Sequence, residues 1–469
     1  MSAARGKDAI DPARSAAYEV LRRTFEHDAW TDRAFPAAAE RHGLTHRARA
    51  RAQWLAYGAV QRRGTSDHIV SAMSSRTVER LDGSVIAALR VGIFELLWAG
   101  SAADHAVVTD AVELAKRGLA ARGHRRAQAG AGFVNALLRR VARERAATLE
   151  SLTDGDPASA AVAHSCPEWL ARMWWDELGA GAARALMRAS NDPLPAALRA
   201  NTLRAAPDEL RARLAGSLAA ASDEDAGLAG SPLRPREALL LDHLDEAATA
   251  ALEQGEALAQ SLGAQAVVEV LDPRPGERIL DLCAGPGIKT VAIAARMRGT
   301  GELVAVEADP GRARQVEELC TRAGAANVRV VPADAREDIH LPGGHYDRVL
   351  VDPPCSDLGT LASRPDARWR KSAETVTELA PLQREILASG LSALAPSGTL
   401  VYSTCTISRR ENEDVALGAP GAGARIDDLG RHFPGLASPH DGRFLQTRPD
   451  RDRTDGFFIA RMTREGGPA

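Results

Sequence analysis

The sequence predicts a multidomain chain: an all-α amino-terminal domain, a small α+β connecting subdomain and a carboxyl-terminal α/β domain of Rossmann-like topology. Three observations carry that reading. Apolar residues recur at helical spacing through the first third of the chain. A small, polar, Pro- and Gly-punctuated stretch then interrupts the pattern. After about Leu252 short apolar runs alternate with helical segments. At roughly 150 residues per domain, 469 residues suit about three domains. We place them at 12–147, 160–245 and 250–465.

Taken in order, residues 1 to about 11 read as a frayed tail. From Ala13 to about Arg145, "ARSAAYEVLRRTF", "RARAQWLAYGAVQR", "DGSVIAALRVGIFELLWA", "HAVVTDAVELAKRGL" and "AGFVNALLRRVARERA" each give one apolar stripe with arginines opposite. Gly, Ser and Asp residues separate them, as caps and turns do. "HSCPEWLARMWWDELGAGAARALMRASNDP" is helical again, and its Trp169, Trp174 and Trp175 read as packing and not as a base-stacking platform. "PAALRANTLR" reads as a strand, and "APDELRARLAG" as a helix opened by Pro207 and Asp208. "SLAAASDEDAGLAGSPLRPRE" reads as a loop or linker. "ERILDLC", "ELVAVEAD", "VRVVPAD", "YDRVLVDPP" and "GTLVYSTC" then read as strands between helices. Such βα units in series mean a mostly parallel sheet with helices on both faces. Ligands of such sheets bind beyond the carboxyl ends of the strands.

Composition narrows the class. Hydrophobic residues make up 45% of the chain, enough for a sizeable core. No apolar run reaches the roughly 18 residues of a membrane span, and the first residues lack an apolar signal core. The five cysteines (Cys166, Cys283, Cys320, Cys355, Cys405) are scattered and odd in number, which suits a reducing cytoplasm. No CxxC pair or His/Cys cluster points to a metal. The net charge of −3 conceals an asymmetry: residues 1–150 hold about 24 Lys and Arg against about 16 Asp and Glu. A basic amino-terminal third points to a polyanionic partner, or simply to a solvated helical surface.

Within the α/β half, "ILDLCAGPGIKT" reads as a strand, a glycine turn and a helix. Gly285 and Gly287 let backbone approach a ligand closely. Glu307 ends the strand "LVAVE" about 20 residues on, where a ribose diol is usually held. Asp334 ends "RVVPAD", where a carboxylate would accept from an adenine amino group. The turn lacks the nicotinamide-type G-x-G-x-x-G, and Ile288 separates Gly287 from Lys289, which breaks a P-loop. The trio of strand ends favours S-adenosylmethionine.

The chemistry side rests on two cysteines 50 residues apart, Cys355 in "VDPPCSDLG" and Cys405 in "VYSTCTISRRENED". Carbon 5 of cytosine is a poor nucleophile. A thiolate adding to carbon 6 makes carbon 5 enamine-like and able to take a methyl group. An ordinary cysteine is only a few per cent thiolate at neutral pH, so nearby positive charge is expected, with Lys289 the best-placed cation. Asp352 is placed to meet nitrogen 3 as charge develops there. Cys166, Cys283 and Cys320 read as small buried hydrophobes, though Cys283 falls within the glycine turn.

These stretches carry a resemblance. "LDLCAGPGIKT", "VAVEADPGRARQ", "VVPADARE", "DRVLVDPPCSDLGTLASRPDARW", "LVYSTCTISRRENED" and "DGFFIARM" resemble the bacterial 16S rRNA cytosine-C5 methyltransferases of the RsmB/Sun (Fmu) family. "LAYGAVQR", "AALRVGIFELLWA", "HAVVTDAVELAK" and "GFVNALLRRVAR" resemble that family's NusB-like RNA-binding domain. The resemblance implies a class I S-adenosylmethionine-dependent methyltransferase domain. It implies that Cys405 is the nucleophile, that Cys355 assists product release, and that Asp352 contacts the base beside the methionine part of the cofactor. It makes Cys283, Ala284, Gly285, Pro286, Gly287, Ile288 and Lys289 the cofactor turn. Glu307 then holds ribose, Asp334 holds the adenine end, and Arg312 steadies the Glu307 loop. The implied partner is 16S rRNA, free or in an assembling small subunit, with no metal and no membrane, and with a monomeric enzyme.

The sequence departs from the family pattern at several points. Ile288 replaces a second glycine, Pro353 and Pro354 are consecutive, and Asp357 stands where glycine is common. Ser261 stands where aspartate is usual, and "VALGAPGAGAR" is Gly/Pro-broken where a full helix is expected. Three other readings compete. One is a tRNA-directed relative. Another is an amino-group methyltransferase, since "DPP" is reminiscent of the D-P-P-[YF] loop, though that loop places an aromatic where Cys355 stands. The last is a NusB-like RNA-binding scaffold with an inactive catalytic half.

Overall fold

A computed structural model describes residues 10–74, 76–100, 102–123, 127–219, 227–336, 344–419 and 424–465. They form two compact units. One comprises the chain to Asp192 together with Arg364–Arg370; the other comprises Pro193–Ser363 and Lys371 onward.

The first unit is helical. Up to Arg143 its α-helices are Pro12–Glu26, Thr31–Arg41, His46–Gln61, Arg63–Ser74, Gly83–Phe94, Asp104–Ala121 and Ala127–Arg143. Two of these were not separate stripes in the sequence. Thr31–Arg41 is short, alanine-rich and carries Pro36, so its periodicity is faint. Arg63–Ser74 follows its predecessor after one residue, so no turn signal divides them. The tail expected to run to about residue 11 does not include Asp11. Residues 1–9 lie outside the described residues, and Asp11 is a structured cap whose carboxylate accepts from Ala13 N at 2.8 Å and from Arg51 at 2.7 Å.

The stripe-and-arginine pattern fails for Gly83–Phe94, where every residue from Ser84 onward is buried. A helix apolar on all sides belongs at the centre of a bundle. Its inward arginine, Arg90, pairs with Asp67 at 2.8 Å. Arg14 is likewise internal: it bonds Glu95 at 2.7 Å and Asp110 at 2.6 Å, and Arg51 adds a second cation to Glu95 at 2.7 Å. Helices Arg145–Glu150, Pro157–Ala163, Glu168–Leu178 and Ala180–Ala189 continue the run, with Trp174 fully buried. The segment Arg364–Arg370 docks into this unit. Buried Arg368 donates to the carbonyls of Ser165 and Ser190, and Trp369 Nε1 donates to Val60 O at 2.9 Å.

The second unit begins with a small antiparallel sheet of β1 (Ala196–Ala200), β2 (Ala238–Leu241) and β3 (Ala257–Ala259), ordered β2-β1-β3. In the predicted linker, residues 220–226 lie outside the described residues and Gly227–Gly230 forms a 3₁₀ turn. Ser261 serves as a helix cap, accepting from Ala264 N at 3.4 Å.

The large sheet comprises β4 (Arg278–Asp281), β5 (Glu302–Glu307), β6 (Val328–Pro332), β7 (Tyr346–Val351), β8 (Leu394–Thr404), β9 (Ala424–Ile426), β10 (Leu445–Gln446) and β11 (Phe458–Arg464). Its order is β10-β11-β8-β7-β4-β5-β6, with β9 also on β11. The five strands from β8 to β6 are parallel, and β11 closes that edge antiparallel to β8. One core packs helices Leu262–Leu271, Ile288–Arg296 and Pro310–Ala323 on one face, and a second packs Ala373–Ser392 and Glu413–Gly418 on the other. The first strand, β4, lies between β5 and β7. This is the topological switch point at which a ligand crevice opens in such sheets. Among the described residues no helix is long and apolar enough to cross a membrane.

The internal arginines give a stability prediction. Arg14→Met leaves a Glu95 side chain with no solvent exposure and one cation fewer. Breaking a buried ion pair costs roughly 3 kcal/mol. The variant is expected to unfold at clearly lower temperature in a thermal melt, and an unchanged midpoint would contradict the assignment.

Candidate active site

β4 ends at Asp281 and the chain turns through Leu282–Gly287 into the helix Ile288–Arg296. The turn is tied to both neighbouring strands, with Leu282 N donating to Leu350 O and Ala284 N to Val306 O. Gly285 N donates to Glu307 Oε2 at 3.0 Å, and a Cβ at Gly285 would collide with that carboxylate. Gly287, at φ 100°, opens the helix from a conformation that a side chain would strain. Ala284 is buried, and Ile288 packs against the adjoining core.

Glu307, at the end of β5, is buried and its other oxygen accepts from Asp309 N at 2.9 Å. Asp334 lies two residues past the end of β6 and not within it; the last bond to β5 runs from Ala333 N to Glu307 O, where β5 itself ends. Its carboxylate is held by Arg336 at 2.7 Å. Arg312 N caps onto Asp309, and among the described residues no hydrogen bond or ion pair joins its guanidinium to Glu307.

The neighbouring strands β7 and β8 bring the two cysteines together. Val351 pairs with Tyr402, so both loops leave the same end of the sheet. Cys355 Sγ and Cys405 Sγ are 3.2 Å apart. Gly359 N donates to Cys405 O at 2.9 Å, and any Cβ at Gly359 would strike Gly456 O, so the loop lies backbone against backbone. Buried Glu411 supports the Cys355 loop: it accepts from Ser356 N at 2.9 Å and from Gln383 Nε2 at 2.9 Å. Asn412 bonds Thr404 Oγ1 at 2.5 Å and Thr406 O at 3.1 Å, which braces the chain on both sides of Cys405. Sequence reasoning missed both roles; the signal was two polar residues directly behind the "STCT" turn.

The electrostatics differ from the expectation of a positive surround for the thiol. Lys289 Nζ sits 2.5 Å from Asp352 Oδ2 and 5.0 Å over the Phe457 ring, while Asp352 Oδ1 accepts from Ser403 at 3.0 Å. Burial pulls the Lys289 pKa down, but Asp352 outweighs it and the net shift is upward. That cation is therefore committed to a carboxylate. The Cys405 thiol lies far above its ordinary value, through its bond with Cys355, through burial, and through the charges of Asp357 and Asp352. Contact with Cys405 lowers the Cys355 thiol, yet burial and neighbouring acids leave it raised too. Both shifts favour the thiol over the thiolate. Cys283 is also raised, by burial first.

Asp357, which the sequence marked only as a departure, adopts φ 60°, a left-handed backbone costing a non-glycine residue about 1 kcal/mol. Cys405 Sγ donates to its Oδ1 at 3.1 Å, and Lys371 Nζ lies 3.6 Å from its Oδ2. The sulfurs of Cys355 and Cys405 and a carboxylate oxygen of Asp357 all lie within 4.8 Å of one another. A separate cavity of about 670 Å³ in the helical unit is lined by Arg22, Arg23 and Arg117, each paired with a glutamate. It contains none of these groups.

Comparisons with known proteins agree with this layout. The family described as 16S rRNA methyltransferase RsmB/F matches residues 268–463. The NusB family matches 11–143, and the RsmF/B-like ferredoxin-like domain matches 166–228. The chain is 35% identical to "Putative methyltransferase Rv1407" of Mycobacterium tuberculosis, covering 97% of each chain. It is 30% identical to "Probable ribosomal RNA small subunit methyltransferase B" of Synechocystis, covering 96% of this chain and 99% of that one. The crystal structure of PH0851 shares the fold, with a TM-score of 0.79 at 24% identity over 98% of this chain and all of that one.

Asp281 gives a prediction of its own. Burial is the main cause pushing its pKa from 3.8 up to about 7, against a bond from Thr290 Oγ1 at 2.8 Å. Between those values the folded chain keeps a proton that the unfolded chain has lost, so stability falls as pH rises through that window. Asp281→Asn keeps an acceptor for Thr290 and has no proton to lose. Its melting temperature relative to the parent should rise more at about pH 8 than at about pH 5. Equal differences at both pH values would contradict the raised pKa.

Proposed function

The chain belongs to the RsmB/F family of rRNA cytosine methyltransferases, with a NusB-family amino-terminal domain, and within that family we propose that it methylates carbon 5 of a cytidine in 16S rRNA through a covalent Cys405–cytosine adduct. The single observation that carries the adduct is the pair of sulfurs 3.2 Å apart at adjoining strand ends. Transfer to an exocyclic amine requires no thiol at all.

S-adenosylmethionine supplies the electrophilic methyl group when bound. The turn suits such a ligand, because the absent Cβ at Gly285 lets the Glu307 carboxylate stand directly against the turn backbone. Residues Cys283 to Lys289 would line it, Glu307 would hold the ribose and Asp334 the adenine. Arg312 contributes to the wall behind Gly285, since its Cδ lies 3.3 Å from where a Cβ would be. Asp352 faces the base, with Lys289 and Ser403 fixing its two oxygens. A carboxylate so held can bond the protonated nitrogen 3 that develops during addition. Cys355 stands beside Cys405, where a second sulfur can take part in releasing the methylated base.

The helical unit is assigned to RNA capture. Part of its basic surplus is spent on internal pairs such as Arg14–Glu95 and Arg90–Asp67. Arg47 and Arg49 remain exposed on the helix His46–Gln61. Affinity of the full chain for rRNA should therefore fall as salt rises, by a logarithmic slope of about −0.7 to −0.9 per neutralised phosphate. Affinity indifferent to salt would reassign the unit to protein docking.

The test of the adduct is Cys355→Ala. Incubated with rRNA and S-adenosylmethionine, it should accumulate a protein–RNA species that survives denaturation and vanishes when Cys405 is also changed. Methylation of an exocyclic amine, with neither variant trapping RNA, would overturn the carbon-5 reading.

A further inference from the structure

Cys405 must lose a proton to attack, yet its surroundings hold that proton on. The groups facing its sulfur are the Cys355 thiol, the Asp357 and Asp352 carboxylates and the Lys289 ammonium. Lys371 stands behind Asp357. Cys355 is itself a raised thiol, and so a poor acceptor at neutral pH. Asp352 has one oxygen committed to Lys289 and the other to Ser403. Asp357 alone among these has a carboxylate oxygen already accepting the Cys405 S–H, at 3.1 Å.

The backbone keeps it there. Asp357 sits at φ 60°, and strained backbone of this kind at a reactive group is a pointer to function. Its carbonyl accepts from Thr360 N at 3.0 Å and from Thr360 Oγ1 at 2.9 Å. Two residues on, Gly359 N is bonded to the carbonyl of Cys405 itself. The carboxylate and the sulfur are thus fixed to one another from both chain segments. Lys371 Nζ stands 3.6 Å from the other carboxylate oxygen of Asp357.

We propose that Asp357 is the general base for Cys405, a catalytic residue of this chain beyond the two cysteines and Asp352. This rests on the carbon-5 reading above. As the thiol adds, the S–H bond breaks and its proton passes to Asp357 Oδ1. The sulfur electron pair forms the S–C6 bond, and the C5=C6 pair becomes available at carbon 5 for the methyl group. With Cys355 assisting release, the C5 proton leaves to solvent, the C5=C6 bond re-forms, the S–C6 bond breaks and Asp357 returns its proton to Cys405. Asp357 ends as it began, and the net proton released is the one from carbon 5. General-base assistance of this type is worth about 10²–10⁴ in rate.

The experiment uses the full chain, with EDTA present because the same sulfurs and carboxylate are spaced for a metal. Wild type, Asp357→Asn and Asp357→Gly are compared in kcat for 5-methylcytidine formation and in the iodoacetamide alkylation rate of Cys405, read by mass spectrometry. Glycine relieves the left-handed backbone, so it covers the case in which asparagine does not fold. A general base predicts parallel movements, because alkylation and addition to carbon 6 both need the Cys405 proton removed. Removing the carboxylate lowers kcat at least tenfold near neutral pH and slows alkylation with it, and both losses shrink as pH rises. A loss of kcat under tenfold overturns the proposal, as does a fall of kcat with alkylation unchanged or faster. A loss equal at every pH also overturns it, because that marks a merely structural role. Failure of the wild type to form 5-methylcytidine would overturn the underlying reading and not this assignment alone.

Discussion

Parallel pairing of β7 with β8, with Val351 opposite Tyr402, fixes where both cysteines emerge. Residues 50 apart in sequence are brought to 3.2 Å by this one register. A slip of one residue would turn every side chain of β8 to the opposite face and carry the following loop with it. Much of the surrounding structure protects that register. β11 covers the outer edge of β8, Tyr402 is anchored on Glu411 O at 2.6 Å, and Glu411 in turn holds the Cys355 loop. The buried polar network from Gln383 through Glu411 to Ser356 is satisfied by short bonds, as buried polar groups must be to repay their desolvation.

The same packing that joins the sulfurs also discharges them. A half-buried site with several carboxylates disfavours a resting thiolate, so nucleophilicity has to be produced at the moment of attack. That guards a sulfur pair close enough to react with each other. It also separates the tasks of the cations: Lys289 stands with Asp352 and Lys371 with Asp357.

Much of this was legible in the sequence. Alternating βα runs, a glycine turn, an acid at the next strand end and two strand-end cysteines gave the fold and the face on which the chemistry lies. Gly285 and Gly287 were readable because close approach and positive φ leave few substitutes. What escaped was set by tertiary burial. Helix Gly83–Phe94 looks amphipathic because Arg90 interrupts it, but Arg90 points inward to Asp67. Arg364–Arg370 reads as part of the catalytic half, while its side chains belong with the helical unit, and no local periodicity encodes that partner. Lys289 was legible as the cation near the thiol, but its pairing with Asp352 was not, because that partner lies 63 residues on and no local pattern encodes it. Asp357 was visible as an oddity, and its role required knowing which sulfur it faced.

The most direct measurement is methyl transfer from labelled S-adenosylmethionine to unmodified small-subunit rRNA, with the product mapped at single-nucleotide resolution. The account predicts 5-methylcytidine at one position, dependent on Cys405. Transfer to tRNA alone would overturn the substrate, and label on an exocyclic amine, or on no RNA despite cofactor binding, would contradict the chemistry built on the paired cysteines.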